Sequence, residues 1–241
     1  MASPTGARGN GRSSASRLTS LVHPPSLVTL AADAIRKKIL AGEYGPGERL
    51  LEERLTEELA ISRPPLREAL RTLENEGLIE TRQRRGSFVS TLTDKDVYEI
   101  LTLRSTLERM AFELGIPVKD PALLGPARAA LLDMEQSARE EDRGALVQAG
   151  YAFHYALVGI ADHQRLNQTY ASVQRQLLLC MARNLIAREM YYEDLENHVA
   201  RHRYLLELVE SGDREAALAE LAVHGERSFE KAAPPASEET G

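Results

Sequence analysis

The sequence predicts a mostly α-helical protein in two parts: a small N-terminal head of three helices and one β-hairpin, then an all-helical bundle. Three observations predict it. Apolar residues recur at helical spacing over most of the chain. Strand character is confined to one short stretch, residues 78–90, broken by a glycine. The 241 residues are enough for two domains with cores of ordinary size.

The first helix is expected over residues 27–41, with an apolar stripe at Leu27, Leu30, Ala31, Ala34, Ile35 and Ile39 and a stop at Gly42. Tyr44-Gly45-Pro46-Gly47 reads as a turn. Two short helices follow at about 52–60 and 63–76. The second of these opens at Ser62, a residue type that accepts the orphan backbone N–H groups of a helix start. Pro64 and Pro65 fall in its first turn, where a missing amide hydrogen costs least. Leu66, Ala69, Leu70 and Leu73 make one apolar face, and Gly77 is placed to end the helix in a left-handed conformation. Arg63, Arg67 and Arg71 stand at i, i+4 and i+8 in a separate row beside that face.

Leu78 and Ile79 begin a strand, Thr81 to Arg85 is polar and basic, Gly86 permits a turn, and Phe88-Val89 returns. A helix-turn-helix followed by such a hairpin is a winged helix-turn-helix. Its second helix suits the DNA major groove, and its wing tip the minor groove or the phosphates. Arginines along one helix face are commonly just solvated; the order of elements, more than the arginines alone, points to DNA.

Asp94 is a good cap for the next helix, and TLTDKD marks the junction between the parts. Helices are then expected at roughly 94–115, 120–141, 143–161, 163–190, 192–211 and 213–231, punctuated by Pro117, Pro121, Gly144, Asp162 and Gly212-Asp213. Six helices of this length form a bundle able to enclose a pocket. The domains are therefore a tail at 1–26, the head at 27–92, the bundle at 93–231 and a second tail at 232–241. The first tail is rich in Gly, Ser, Ala and Arg without an apolar core, so it reads as disordered and not as a secretory signal.

Net charge is −6, yet residues 1–90 hold 14 Lys and Arg against 11 Asp and Glu, while residues 91–241 hold 16 against 25. A basic head on an acidic body fits local DNA contact. Cys180 is the single cysteine and sits in an apolar run, which points to a buried small residue and a reducing cytoplasm. No run of eighteen apolar residues predicts a membrane span. No P-loop, dinucleotide fingerprint or nucleophile triad is visible, which argues against an enzyme.

The run PGERLLEERLTEELAISRPPLREALRTLENEGLIETRQRRGSFV resembles the winged helix-turn-helix domain of the GntR family of bacterial transcription regulators. The resemblance is to the FadR-type branch, which carries an all-helical FCD effector domain behind the reader head. The matching residues include Pro46-Gly47, Arg49-Leu50, Glu52, Leu55, Ser62-Arg63, Pro65, Arg67-Glu68-Ala69-Leu70, Leu73, Glu76-Gly77-Leu78 and Arg85-Gly86. With the helical half, it covers nearly all of residues 27–231. The resemblance implies that Arg63 and Arg67 contact bases or adjacent phosphates and that the Gly86 tip enters the minor groove. Ser62, Pro64, Arg71, Arg84 and Arg85 complete the expected DNA surface. Ala60 departs from the family's usual glycine, and Glu53 stands where some relatives carry a DNA-contacting arginine, a role that Arg54 either takes or leaves unfilled.

In the helical half, the resemblance gives a role to His154, His202 and His224. Similar positions in FCD domains bind a divalent transition metal (Zn, Ni, Co or Fe) that in turn binds a carboxylate effector. The local pattern agrees: a Phe153-His154 pair, His202 eleven residues before Asp213, and His224 eleven after it. One departure matters. The family's metal-binding carboxylate stands four residues before the first histidine, and here that position is Gly150. Arg104 is expected either to clamp an effector carboxylate or to pair with Glu108 on the surface. His163 is expected to contribute to the effector site or to fill space, with Arg175 and Arg183 as weaker pocket candidates. His198 either joins the histidine site or is solvated.

The expected function is a homodimeric, cytoplasmic repressor that reads an inverted repeat in double-stranded DNA and responds to a small carboxylate. The competing readings are a regulator without ligand sensing and, less favoured, a metal-dependent enzyme. A metabolite panel separates the first pair, and metal-dependent turnover would revive the last.

Overall fold

The computed structural model describes residues 25–191 and 194–226. The two expected tails fall almost entirely outside that range. Helix α1 (Leu27–Ala41) is capped by the Ser26 hydroxyl, which accepts from the Thr29 amide, and it ends at Gly42 with φ +80°. Its buried face is Ala31, Ala32, Ile35, Ile39 and Leu40. The expected stripe is thus corrected at its start, because Leu27 and Leu30 are exposed and only the later turns pack. Strand β1 (Arg49–Leu50) precedes α2 (Glu52–Leu59) and α3 (Arg63–Asn75). Strands β2 (Ile79–Arg82) and β3 (Gly86–Val89) form the hairpin.

The sheet has order β1-β3-β2, all antiparallel, with Arg49 opposite Phe88 and Ile79 opposite Val89. The wing is therefore three-stranded rather than a bare hairpin. A two-residue strand carries too little alternation to be read from sequence. Leu66, Ala69, Leu70 and Leu73 bury the inner face of α3 against α1 and Leu55. Truncating Leu73 to alanine would cost about 2–5 kcal/mol, the usual figure for a sealed core site.

The bundle comprises α4 (Asp94–Gly115), α5 (Gly125–Arg139), α6 (Arg143–Gly159), α7 (Gln164–Ser172), α8 (Gln174–Tyr191), α9 (Leu195–Ser211) and α10 (Arg214–Glu226). A short 3₁₀ turn, Pro121–Leu124, leads into α5. Thr93, not Asp94, caps α4, through a reciprocal capping box with Asp96. The single helix expected over 163–190 is two. Val173 leaves helical geometry (φ −98°, ψ 4°) and separates α7 from α8. No glycine or proline announces the break; packing sets it, since Tyr170 on α7 and Cys180 on α8 are both fully buried.

Head and bundle touch directly. A Cβ built on Gly144, in the first turn of α6, would lie 2.4 Å from the Lys37 carbonyl oxygen of α1. Lys37 also pairs with Asp142, whose other oxygen caps α6 at Ala145. Gly42, at the end of α1, faces Ile186 of α8.

Candidate functional site

The outer face of α3 carries Arg63, Arg67 and Arg71, all exposed. The Nε of Arg67 lies 3.1 Å from Glu52, and Arg71 is 3.4 Å from Glu68, both loose surface pairs worth little energy. Ser62 occupies the N-cap position but its side chain makes no capping bond, and Pro64 beside it is exposed. At the wing tip, Arg84 adopts a left-handed φ of 61° and Gly86 a φ of 92°. Arg84, Arg85 and Gly86 all face solvent. Arg54 is exposed but tied to Glu58 at 2.8 Å, over the Tyr44 ring. Lys38, then Arg54, hydrogen-bond the Glu58 carboxyl and hold its pKa down at about 2. Arg54 is thus built into a charged cluster on α2.

The second site lies inside the bundle. His154 on α6, His202 on α9 and His224 on α10 are all buried, and their ligand-capable nitrogens lie within 4.8 Å of one another. Ring centroids are 5.3 Å apart for His154–His202 and His154–His224, and 4.5 Å for His202–His224. Burial pushes all three pKa values down, helped by Arg104 for His154, by His224 for His202, and by His154 and Arg201 for His224. They are therefore neutral imidazoles, the form that binds a cation.

Their hydrogen bonding is incomplete in a telling way. Nδ1 of His202 bonds the His198 carbonyl oxygen at 2.8 Å, which fixes Nδ1 as the protonated nitrogen and leaves a lone pair on Nε2. Nε2 of His154 and both ring nitrogens of His224 are buried with no hydrogen-bond partner. Orphaned buried nitrogens are costly unless something else satisfies them. The donor set fits a divalent transition metal, which His154, His202 and His224 would hold.

The cavity beside these rings has a volume of about 30 Å³, room for an ion and a water or two. Arg104, Gly150, Met181, Asn184, His198 and Arg201 help to line it. The Asn184 side-chain oxygen is buried without a partner. A Cβ on Gly150 would meet the Met181 methyl at 3.2 Å, so the position usual for the carboxylate is backed by a flexible thioether. Cys180 also lines the cavity as a buried thiol, its pKa raised to about 11 by burial.

Arg104 is not the surface residue of one expectation. It is buried, and its Nε donates to Glu108 at 2.8 Å. The same Glu108 oxygen accepts from the Tyr170 hydroxyl at 2.6 Å and lies 3.3 Å from Nδ1 of His154. Burial opposes ionisation of Glu108, but the adjacent Arg104 guanidinium outweighs it and holds the carboxyl below its usual range. Sequence reading found Glu108 only as a partner for Arg104. Tyr170 and Asn184 were missed altogether, since their place depends on contacts distant in the chain and not on a local motif.

The structure does not bring His163 to this cavity. It caps α7 instead, its Nδ1 accepting from the Leu166 amide at 3.2 Å. Arg183 faces outward and pairs with Asp94 at 2.7 Å. The Arg175 side chain lies outside the described residues.

A winged helix-turn-helix head carried on an all-helical domain defines a class, the DNA-binding transcription regulators. Residues 27–89 match the family model for bacterial regulatory proteins of the gntR family, and residues 99–227 match the FCD domain. The chain belongs to the GntR family, in the branch with an FCD domain. It is 33% identical over 152 residues to the HTH-type transcriptional regulator YdhC of Bacillus subtilis, covering 62% of this chain and 67% of that protein. It is 28% identical over 170 residues to the gluconate operon transcriptional repressor of the same organism, covering 68% of this chain and 69% of the relative. The chain thus spans about two thirds of the length of these relatives. Among solved structures, a GntR transcriptional regulator from Rhodococcus sp. RHA1 superposes with TM-score 0.65 at 25% identity, covering 84% of this chain and 95% of that one. These matches are to transcription regulators, not enzymes. Among the described residues, no helix is long and apolar enough to cross a membrane.

Proposed function

We propose that this regulator is a homodimeric repressor whose operator affinity is set by a small, carboxylate-bearing metabolite bound beside a divalent cation in the bundle. The observation that carries the reading is the convergence of three buried, neutral histidines on a cavity also lined by Arg104 and Arg201. Imidazole lone pairs take the cation, and guanidinium groups favour an anion beside it. The name of one relative, a gluconate operon transcriptional repressor, supports repression.

Residues 27–92 form the reader and 93–231 the sensor. Arg63, Arg67 and Arg71, with Ser62 and Pro64 at the start of α3, face the major groove. Arg84, Arg85 and Gly86 reach the minor groove or phosphates, and Arg54 supplies at most a phosphate contact from its Glu58 pair. The homodimer reading draws on α4. Leu103, Met110 and Leu114 are exposed there, with half-buried Leu107 between them. Their 4-3-4 spacing is its own reverse, so a twofold partner would set Leu103 against Leu114 and Leu107 against Met110. Such a dimer reads an inverted repeat.

The test is a selection of genomic fragments by purified protein, followed by a thermal-shift panel of carboxylic acids with and without Zn²⁺. Preference for one fragment, released by one acid, is expected. No preference over random duplex at physiological salt would sink the reading. A second reading, a regulator that does not sense ligands, is favoured by Gly150 and the small cavity. It would show operator preference with no acid or metal response.

A further inference from the structure

The three histidines bring no negative charge to the site, yet a carboxylate stands just behind them. Glu108 is 3% exposed, and one of its oxygens gathers contacts from three helices. Arg104 one turn earlier on α4 donates at 2.8 Å, Tyr170 on α7 donates at 2.6 Å, and His154 Nδ1 on α6 lies at 3.3 Å. The first two are short, while the third is long for a hydrogen bond. Glu108 is therefore spent chiefly on Arg104 and Tyr170, and only weakly on His154.

We propose that Glu108 is the working anion of the cation site, acting through His154, and that Arg104 competes with the cation for it. A carboxylate accepting from Nδ1–H fixes which nitrogen carries the proton and turns Nε2, the orphaned atom, toward the neighbouring histidines. It also makes that imidazole a stronger donor to a cation. All three contacts fall on one oxygen, whose two lone-pair directions go to Arg104 and Tyr170, so His154 is left with the long one. The arrangement links two ligands without their touching: an anion that draws Arg104 away frees Glu108 to serve His154, and by reciprocity a bound cation loosens Arg104 for an anion. Glu108 touches neither ligand, so it is a positioning residue.

The inference rests on the cation-holding part of the proposed function, and the test separates the two. Zn²⁺ affinity is measured against a chromophoric chelator for the wild-type chain, Glu108→Gln, Arg104→Met and the double variant. The expected order is Arg104→Met above wild type and Glu108→Gln below it by about tenfold or more, the usual effect of losing such a partner. The double variant removes both buried charges together, so it keeps a folded bundle if Glu108→Gln alone does not. It should bind at least about tenfold more weakly than Arg104→Met.

A merely structural role would lower affinity in Arg104→Met as well, because both single variants break the same pair. Long-range ¹H–¹⁵N NMR of the metal-free protein adds a second readout. His154 should carry its proton on Nδ1 in wild type and Arg104→Met, and lose that preference when Glu108 is replaced. If wild type binds Zn²⁺ but Arg104→Met does not exceed it, the competition is refuted. If the double variant binds as tightly as Arg104→Met, Glu108 is not the anion. If no form binds Zn²⁺, the cation reading itself falls and takes this inference with it.

Discussion

A carboxylate at position 150 would lie one helical turn before His154 and face the same cavity, and Gly150 offers none. The obstacle to restoring it is the Met181 methyl, 3.2 Å from where a Cβ would sit. Methionine is flexible enough to give way. Gly150→Asp should therefore raise Zn²⁺ affinity in the absence of effector by about tenfold or more, since it adds a direct anionic ligand. Calorimetry showing no gain would refute a vacant ligand position. The arginines of the head separate by role in the same way. Arg63→Ala or Arg67→Ala should cost about 1–3 kcal/mol of specific operator binding, the price of a bidentate base contact. Arg67 gives up only a weak exposed pair with Glu52 to make it. Arg84→Ala or Arg85→Ala should weaken all duplexes alike and reduce the salt dependence by about one unit of slope. Anisotropy titrations on operator and random duplex over a salt series would distinguish them. Identical behaviour of the two pairs would mean that base reader and phosphate clamp are wrongly assigned.

Between α2 and α3 the chain turns through Ala60, held at φ 52° and ψ 40°. A left-handed conformation costs an L-residue with a Cβ about 1–2 kcal/mol, which glycine avoids at some entropic expense. Ala60→Gly should therefore be neutral to stabilising, by up to about 1 kcal/mol, in chemical denaturation. A clear loss of stability would show that the Ala60 methyl has a packing role. The turn was legible in sequence because the two helices around it carry their own signals: Leu55 before, Ser62 and the prolines after. Local chemistry of that kind also revealed the wing, through Gly86; the three histidines were picked out by the family resemblance, with which their spacing to Phe153 and Asp213 agrees. What stayed hidden was set by contacts distant in the chain. Strand β1 exists only because Phe88 and Ser87 pair with it. The α7–α8 break has no breaker residue, and its reason is the burial of Tyr170 against Glu108, 62 positions away. Likewise, the exposure of Leu27 and Leu30 reflects where α3 and α6 meet α1, not the periodicity of α1 itself.

For the whole molecule, the question is how occupancy of a cavity in the bundle reaches an arginine face on α3. The path available is α1. Its inner face packs on α3, its Lys37 backbone abuts Gly144 of α6, and its Gly42 end faces Ile186 of α8. Both α6 and α8 line the cavity, through Gly150 and His154 on one and Met181 and Asn184 on the other. A change in their separation would therefore bear on α1 at two points. Gly144 is the position where this can be tested without touching either site. A methyl there would stand 2.4 Å from a backbone oxygen, a contact that only separation of α1 from α6 relieves. The helix itself would gain, since alanine is favoured over glycine in an α-helix by about 1 kcal/mol. Gly144→Ala should thus leave each domain folded, with operator still bound, while Zn²⁺ no longer alters operator affinity. Calorimetric melting should pass from one transition toward two, because the domains no longer support each other. Operator titrations with and without Zn²⁺ give the coupling directly as a ratio of affinities. Should that ratio match the wild-type value in Gly144→Ala, the signal must bypass this contact.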